Sequence, residues 1–186
     1  MKETKLKFGV IGSGSWATAL IKILSENNND INWYFRNKEN IEFIKKNSHN
    51  PNYLSSVELN LKKLKISAEI NEVVEASNII IIAVPSEYVN DEMKKIGVDI
   101  SNKIIICALK GLVPETNLLF GEHMQKHFGI SPNKFLVIGG PCHAEEVALE
   151  KLSYLTIGSS NLELCKIISE KFSCKYINVK ASDDVI

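Results

Sequence analysis

The residues whose spacing most directly implies chemistry are Gly12, Gly14 and Ala17, in the run Phe8-Gly9-Val10-Ile11-Gly12-Ser13-Gly14-Ser15-Trp16-Ala17-Thr18-Ala19-Leu20. An apolar strand leads into a glycine turn and then a helix whose stripe is Trp16, Leu20, Ile23 and Leu24. In that setting Gly12 permits a tight turn. Gly14 lets main chain approach a diphosphate with no side chain between them, and Ala17 lets the helix lie close on the sheet. The start of the helix then offers unpaired N–H groups and a partial positive charge to the phosphates. Without the strand before and the amphipathic helix after, the same glycines would describe an ordinary strand-to-helix turn.

Further along, about 20 residues past the glycines, a bound dinucleotide would place its adenosine ribose, and an acidic residue there would accept hydrogen bonds from the 2′-OH. This chain has Arg36 and Asn37 instead. A guanidinium can clamp a 2′-phosphate or stack on adenine, which leans towards NADP without excluding NAD; an arginine merely solvated at a strand end fits the position equally well. Three segments follow apolar strands and carry polar groups: Val84-Pro85-Ser86, Leu109-Lys110-Gly111 and Gly140-Pro141-Cys142-His143-Ala144. Directly after an apolar strand, Lys110 would be costly to leave unpaired, so it is a candidate for holding an anionic or carbonyl oxygen. Gly140 brings backbone N–H groups close to a ligand. His143 has the right pKa range for acid–base work, yet a lone histidine at a helix start reads better as a capping or surface residue. Cys142 has no base at a useful spacing, which argues against a nucleophile.

The elements that must position these residues alternate. Strands are predicted at 31–35, 78–86, 103–108, 135–138, 154–157 and 176–179. Asn37 caps a helix over 38–46, and Asn161 caps one whose stripe is Leu164, Cys165, Ile168 and Phe172. Further helices are predicted over 71–76, 87–96 and 116–128. The unbroken run Ile79-Ile80-Ile81-Ile82 is what a parallel strand covered on both faces looks like. The Lys62-Lys63-Leu64-Lys65 run reads as a solvated segment guarding a sheet edge. The sum is an α/β, Rossmann-like, doubly wound and mainly parallel sheet flanked by helices.

Composition narrows the partners. Lys and Arg number 22 against 22 Asp and Glu, so nothing points to nucleic acid or to stable membrane contact, while a small anionic ligand needs only local charge. The four cysteines, at 107, 142, 165 and 174, show no metal-ligand spacing and read as free thiols of a cytoplasmic protein. No metal site is expected. The start, Met1 to Lys5, leads into an apolar run too short for a signal peptide, and that run is the first strand.

The stretch Gly12-Ser13-Gly14-Ser15-Trp16-Ala17-Thr18-Ala19-Leu20 resembles the Gly-x-Gly-Ser-Trp-Gly-Thr-Ala-Leu signature of bacterial-type NAD(P)-dependent glycerol-3-phosphate dehydrogenases. Trp33-Tyr34-Phe35-Arg36, Asn52-Tyr53-Leu54, Ala83-Val84-Pro85-Ser86, Lys110-Gly111-Leu112 and the stretch from Gly140 to Ala148 match in order and spacing. The resemblance implies reduction of dihydroxyacetone phosphate to sn-glycerol 3-phosphate for phospholipid synthesis, with NAD or NADP as cofactor. Gly12, Gly14, Ser15, Trp16, Arg36, Pro85, Lys110 and Ala144 would contact the cofactor, and Lys110, Gly140 and Cys142 the substrate. A homodimer of the full-length protein is compatible with it.

Ala17 replaces the family's usual Gly, and Cys142 stands where Ser or Thr is common, weakening one hydrogen bond. The family's acid–base lysine lies beyond the equivalent of Ile186, so no catalytic residue is assigned within 1–186. Residues 1–180 are then expected to form the cofactor-binding domain, with 181–186 starting a connection to a helical substrate domain. Such a half would bind NAD(P)H weakly and turn over negligibly. Two other readings fit the same residues: a hydroxy-acid dehydrogenase with a similar nucleotide domain, and a stand-alone nucleotide-binding or redox-sensing module.

Overall fold

The computed structural model describes residues 6–184. The expected approach of residues 1–5 to the first strand, and residues 185–186 of the expected connection, lie outside the described residues. In chain order the elements are β1 (Lys7–Ile11), α1 (Ser15–Glu26), β2 (Asp30–Tyr34), α2 (Lys38–Asn47), β3 (Leu64–Ser67), α3 (Ile70–Glu75), β4 (Ile79–Ile82) and α4 (Ser86–Met93). They continue with β5 (Ile104–Cys107), α5 (Phe120–Phe128), β6 (Phe135–Gly139), α6 (Ala144–Ala148), β7 (Ser153–Gly158), α7 (Leu162–Phe172) and β8 (Ile177–Ser182).

The strands form one sheet in the order β3-β2-β1-β4-β5-β6-β7-β8. The pairs from β3 through β6 are parallel, β7 runs antiparallel to β6, and β8 is parallel to β7. The doubly wound, mainly parallel sheet read from the sequence is therefore the observed one. Period-two alternation sorts β4 between two cores. Ile79 and Ile81 join α1, α2, α6 and α7 on one face, while Ile80 and Ile82 join α3, α4 and α5 on the other. All four are at most 1% exposed. Burying each is worth roughly 1.5–3 kcal/mol, more than the roughly 1 kcal/mol net of a ladder hydrogen bond, so double-sided burial is what holds this short strand at the centre.

Caps follow the sequence reading. The Asn37 side chain accepts from Asn40 N at 3.0 Å, and that of Asn161 accepts from Leu164 N at 3.1 Å. The lysine-rich run forms edge strand β3 and its approach, with Lys63 ion-paired to Asp30 at 3.4 Å.

Two helices depart from expectation. α5 starts at Phe120, not Thr116, because Pro114 is followed by left-handed backbone at Glu115 (φ 71°) and Asn117 (φ 52°), which no helix continues through. α4 ends at Met93 instead of Ile96, since Lys95 and Ile96 donate three residues back, to Glu92 and Met93, in a tightened last turn. The last strand, expected over 176–179, runs on to Ser182, through the position where the connection was expected. Among the described residues no helix is long and apolar enough to cross a membrane, and no group of three His, Cys, Asp or Glu could hold a metal.

The parallel strands all end at one edge of the sheet. The connections from β1 to β2 and from β4 to β5 leave in opposite directions, opening a crevice between the β1 and β4 turns, where open α/β sheets take ligands.

Candidate functional site

The crevice is built around the β1–α1 corner. Gly12 has φ +130°, and a Cβ there would collide with the carbonyl oxygen of Ala83 at the end of β4. Its own carbonyl accepts from the buried Trp33 indole N–H at 2.6 Å, which fixes the turn from β2. Gly14, the N-cap of α1, has φ −81° and ψ −175°; no atom lies within 4 Å of where its Cβ would be. No side chain caps the first turn of α1, so its leading amides face the crevice, the arrangement that receives an anion. Ala17 is fully buried against the sheet, as a small residue there requires.

One residue not singled out from the sequence holds this corner in place. Asn50 is fully buried. Its amide donates to Ser13 O at 3.1 Å and to Thr18 Oγ1 at 2.9 Å, and its oxygen accepts from the backbone N–H of Asn52 and Tyr53. All its polar capacity is spent tying the 50–53 loop to the glycine turn, and Tyr53 is thereby held over the crevice.

Two adjoining cavities fill the crevice. The larger, about 660 Å³, is lined by Gly14, Ser15, Trp16, Tyr53, Pro85, Lys110, Gly140, Cys142 and Ala144, among others. The smaller, about 160 Å³, shares Gly14, Tyr53 and Pro85 and adds Gly12, Tyr34, Arg36, Tyr88 and Glu92. Every cofactor and substrate candidate named from the sequence thus lines one or both. The volumes suit an elongated small molecule.

The chemistry of individual groups is less uniform. Lys110 is exposed at the crevice. The desolvation cost that singled it out therefore does not arise, and only its position and charge recommend it. Cys142 is half-buried; burial raises its thiol pKa, and Glu146 opposes ionisation further, outweighing a backbone hydrogen bond and Lys110. It is a neutral thiol, not a nucleophile. His143 occupies the N-cap position of α6 with an exposed ring that makes no capping bond, so its surface reading holds and its capping reading does not. Gly140 has φ +155°, and a Cβ there would meet the carbonyl of Tyr154, so the loop closes on β7 only with glycine.

At the small cavity, Arg36 Nη1 lies 3.7 Å from Glu92 Oε1, and Lys95 Nζ lies 2.9 Å from Glu92 Oε2. That hydrogen bond with Glu92 raises the Lys95 pKa, while burial, followed by the Glu92 charge, raises that of the Tyr34 hydroxyl. Sequence reasoning missed Tyr34, Tyr88 and Glu92. Glu92 had left one signal, since it sits three residues after Val89 and one before Met93, on the buried stripe of α4 where a carboxylate is out of place.

Residues 7–165 match the family described as NAD-dependent glycerol-3-phosphate dehydrogenase N-terminus. The glycerol-3-phosphate dehydrogenase NAD(P)+ of Macrococcus caseolyticus is 32% identical over 186 residues, covering 97% of this chain and 55% of that protein. The one from Bacillus pumilus is 29% identical over 182 residues, covering 97% and 52%. The chain spans about half the length of the curated relatives it matches. The crystal structure of glycerol-3-phosphate dehydrogenase from Coxiella burnetii shares the fold at a TM-score of 0.82 and 24% identity, over 97% of this chain and 55% of that one.

Proposed function

Because the chain belongs to the NAD-dependent glycerol-3-phosphate dehydrogenase N-terminus family, we propose that it is the dinucleotide-binding half of such an enzyme, taking NAD or NADP and lining the site for dihydroxyacetone phosphate. The observation that carries this reading is the bare corner at Gly14, a cradle that a side chain would fill, at the uncapped start of α1. The amides at the head of α1 bind the diphosphate, and Arg36 and the three tyrosines enclose the adenosine end. Pro85, Trp16 and Ala144 wall the larger cavity where the nicotinamide is held out of water.

When bound, the reduced nicotinamide supplies hydride to the ketone carbon, and a proton completes sn-glycerol 3-phosphate. Lys110 reaches that cavity with three donors and a positive charge, suited to an anionic or carbonyl oxygen of the substrate. Gly140 and the Cys142 thiol line the same wall without charge. The Cys142 thiol on this wall stays protonated near neutral pH, and the lysine assigned to the proton transfer by resemblance lies beyond Ile186. The four cysteines are all free thiols, which supports a cytoplasmic setting.

The test is paired. Calorimetric titration of the chain with NADH and NADPH is expected to show saturable one-site binding. In a steady-state assay with dihydroxyacetone phosphate, turnover is expected to fall at least about 10³-fold below that of a full-length relative, the scale of a missing general acid. Normal turnover would contradict the assignment of the proton donor outside this chain, and an absence of binding would contradict the reading itself.

A further inference from the structure

We propose that Glu92 sets the balance between a 2′-hydroxyl and a 2′-phosphate dinucleotide, by placing from α4 the carboxylate that the end of β2 lacks. The proposal rests on the dinucleotide reading above and goes on to name what decides between its two forms. After Tyr34, β2 gives way to Phe35 and Arg36, with no acid to accept from a ribose 2′-OH. The Glu92 side chain, only 8% exposed, faces the same small cavity as Arg36, Tyr34, Tyr53 and Tyr88.

Its two oxygens have different partners. One is held by Lys95 at 2.9 Å; the other lies 3.7 Å from an Arg36 guanidinium whose own side chain is 73% exposed. That second oxygen is the less committed of the two. A ribose hydroxyl can donate to it. A 2′-phosphate, carrying up to two negative charges, is repelled by it and must also share the guanidinium with it. Arg36 alone would favour the phosphate; opposed by Glu92, the pair leaves little net preference. Burying a carboxylate here is costly unless paired, and Lys95 at 2.9 Å supplies the pair.

Titrating NADH and NADPH separately into the chain tests this, with the ratio of the two dissociation constants as the readout. Glu92→Gln is expected to shift that ratio about tenfold in favour of NADPH, mostly by tightening NADPH. Arg36→Ala is expected to shift it the other way by weakening NADPH more than NADH. If Glu92→Gln does not fold, Glu92→Asp, which draws the charge back by one methylene, should move the ratio about threefold in the same direction. A ratio unchanged or shifted towards NADH in the folded Glu92 variant overturns the proposal. A merely structural Glu92 gives that unchanged ratio, since it weakens both cofactors alike. Failure of the wild-type chain to bind either nucleotide overturns the dinucleotide reading and this proposal with it, and is told apart because it precedes any comparison of variants.

Discussion

Gly12→Ala is expected to destabilise the fold by about 3 kcal/mol or more, the combined scale of forcing a side chain into a glycine-only backbone region and overpacking a closed junction. The backbone at Gly12 has φ +130°, and the added Cβ would strike the Ala83 carbonyl. That carbonyl cannot swing aside as a side-chain tip could. It belongs to the end of β4, whose next ladder bond, Ala83 N to Ile11 O at 2.8 Å, locks it to β1. Any retreat of residue 12 would also pull its carbonyl from the Trp33 indole. For a domain of this size the loss corresponds to a fall in melting temperature of about 10 °C, read by circular dichroism. A fall of less than about 2 °C would show that the junction has slack the contacts do not reveal.

Two residues on, Gly14→Val is expected to leave melting nearly unchanged and to weaken NADH binding about 100-fold or more, some 2.7 kcal/mol. Backbone at φ −81° and ψ −175° suits any residue, and open space surrounds the Cβ position. Giving up glycine at a helix N-cap costs about 1 kcal/mol at most. The isopropyl group would instead occupy the corner assigned to the diphosphate. Calorimetry on both proteins, with melting as the control, separates the effects; unaltered affinity in a folded valine variant would move the diphosphate elsewhere. The same residue type thus serves the protein's own backbone at position 12 and leaves an open corner at position 14.

That distinction was readable before any coordinates, because glycines at a strand-to-helix turn encode backbone shape locally. Ile79–Ile82 was readable for a similar reason: an unbroken apolar run has to be covered on both faces. Asn37 and Asn161 announced their helices because a cap acts within three residues. Distance defeated the rest. Asn50 bonds to residues 32 and 37 positions away, and Trp33 steadies a turn 21 residues before it. The small cavity draws one tyrosine each from β2, a loop and α4, and no local pattern marks them as neighbours. Lys110 was placed correctly at the crevice for a mistaken reason, since being next to a buried strand did not bury its side chain. The false start of α5 came from helix-compatible composition over 116–119, which left-handed residues at 115 and 117 override.

On the proposed reading, a nicotinamide dinucleotide lies across the strand-end crevice with its diphosphate on the main chain of residues 12–17. Backbone amide resonances of the isotopically labelled chain, followed through an NADH titration, test it most directly. The largest shifts are expected at Ser13 to Trp16, smaller ones at Tyr34 to Arg36, Ser86, Lys110 and Cys142 to Ala144, and little change in α7 or β8. Amides at 13–16 that stay fixed at saturating NADH, or shifts gathered on another face of the sheet, would contradict it.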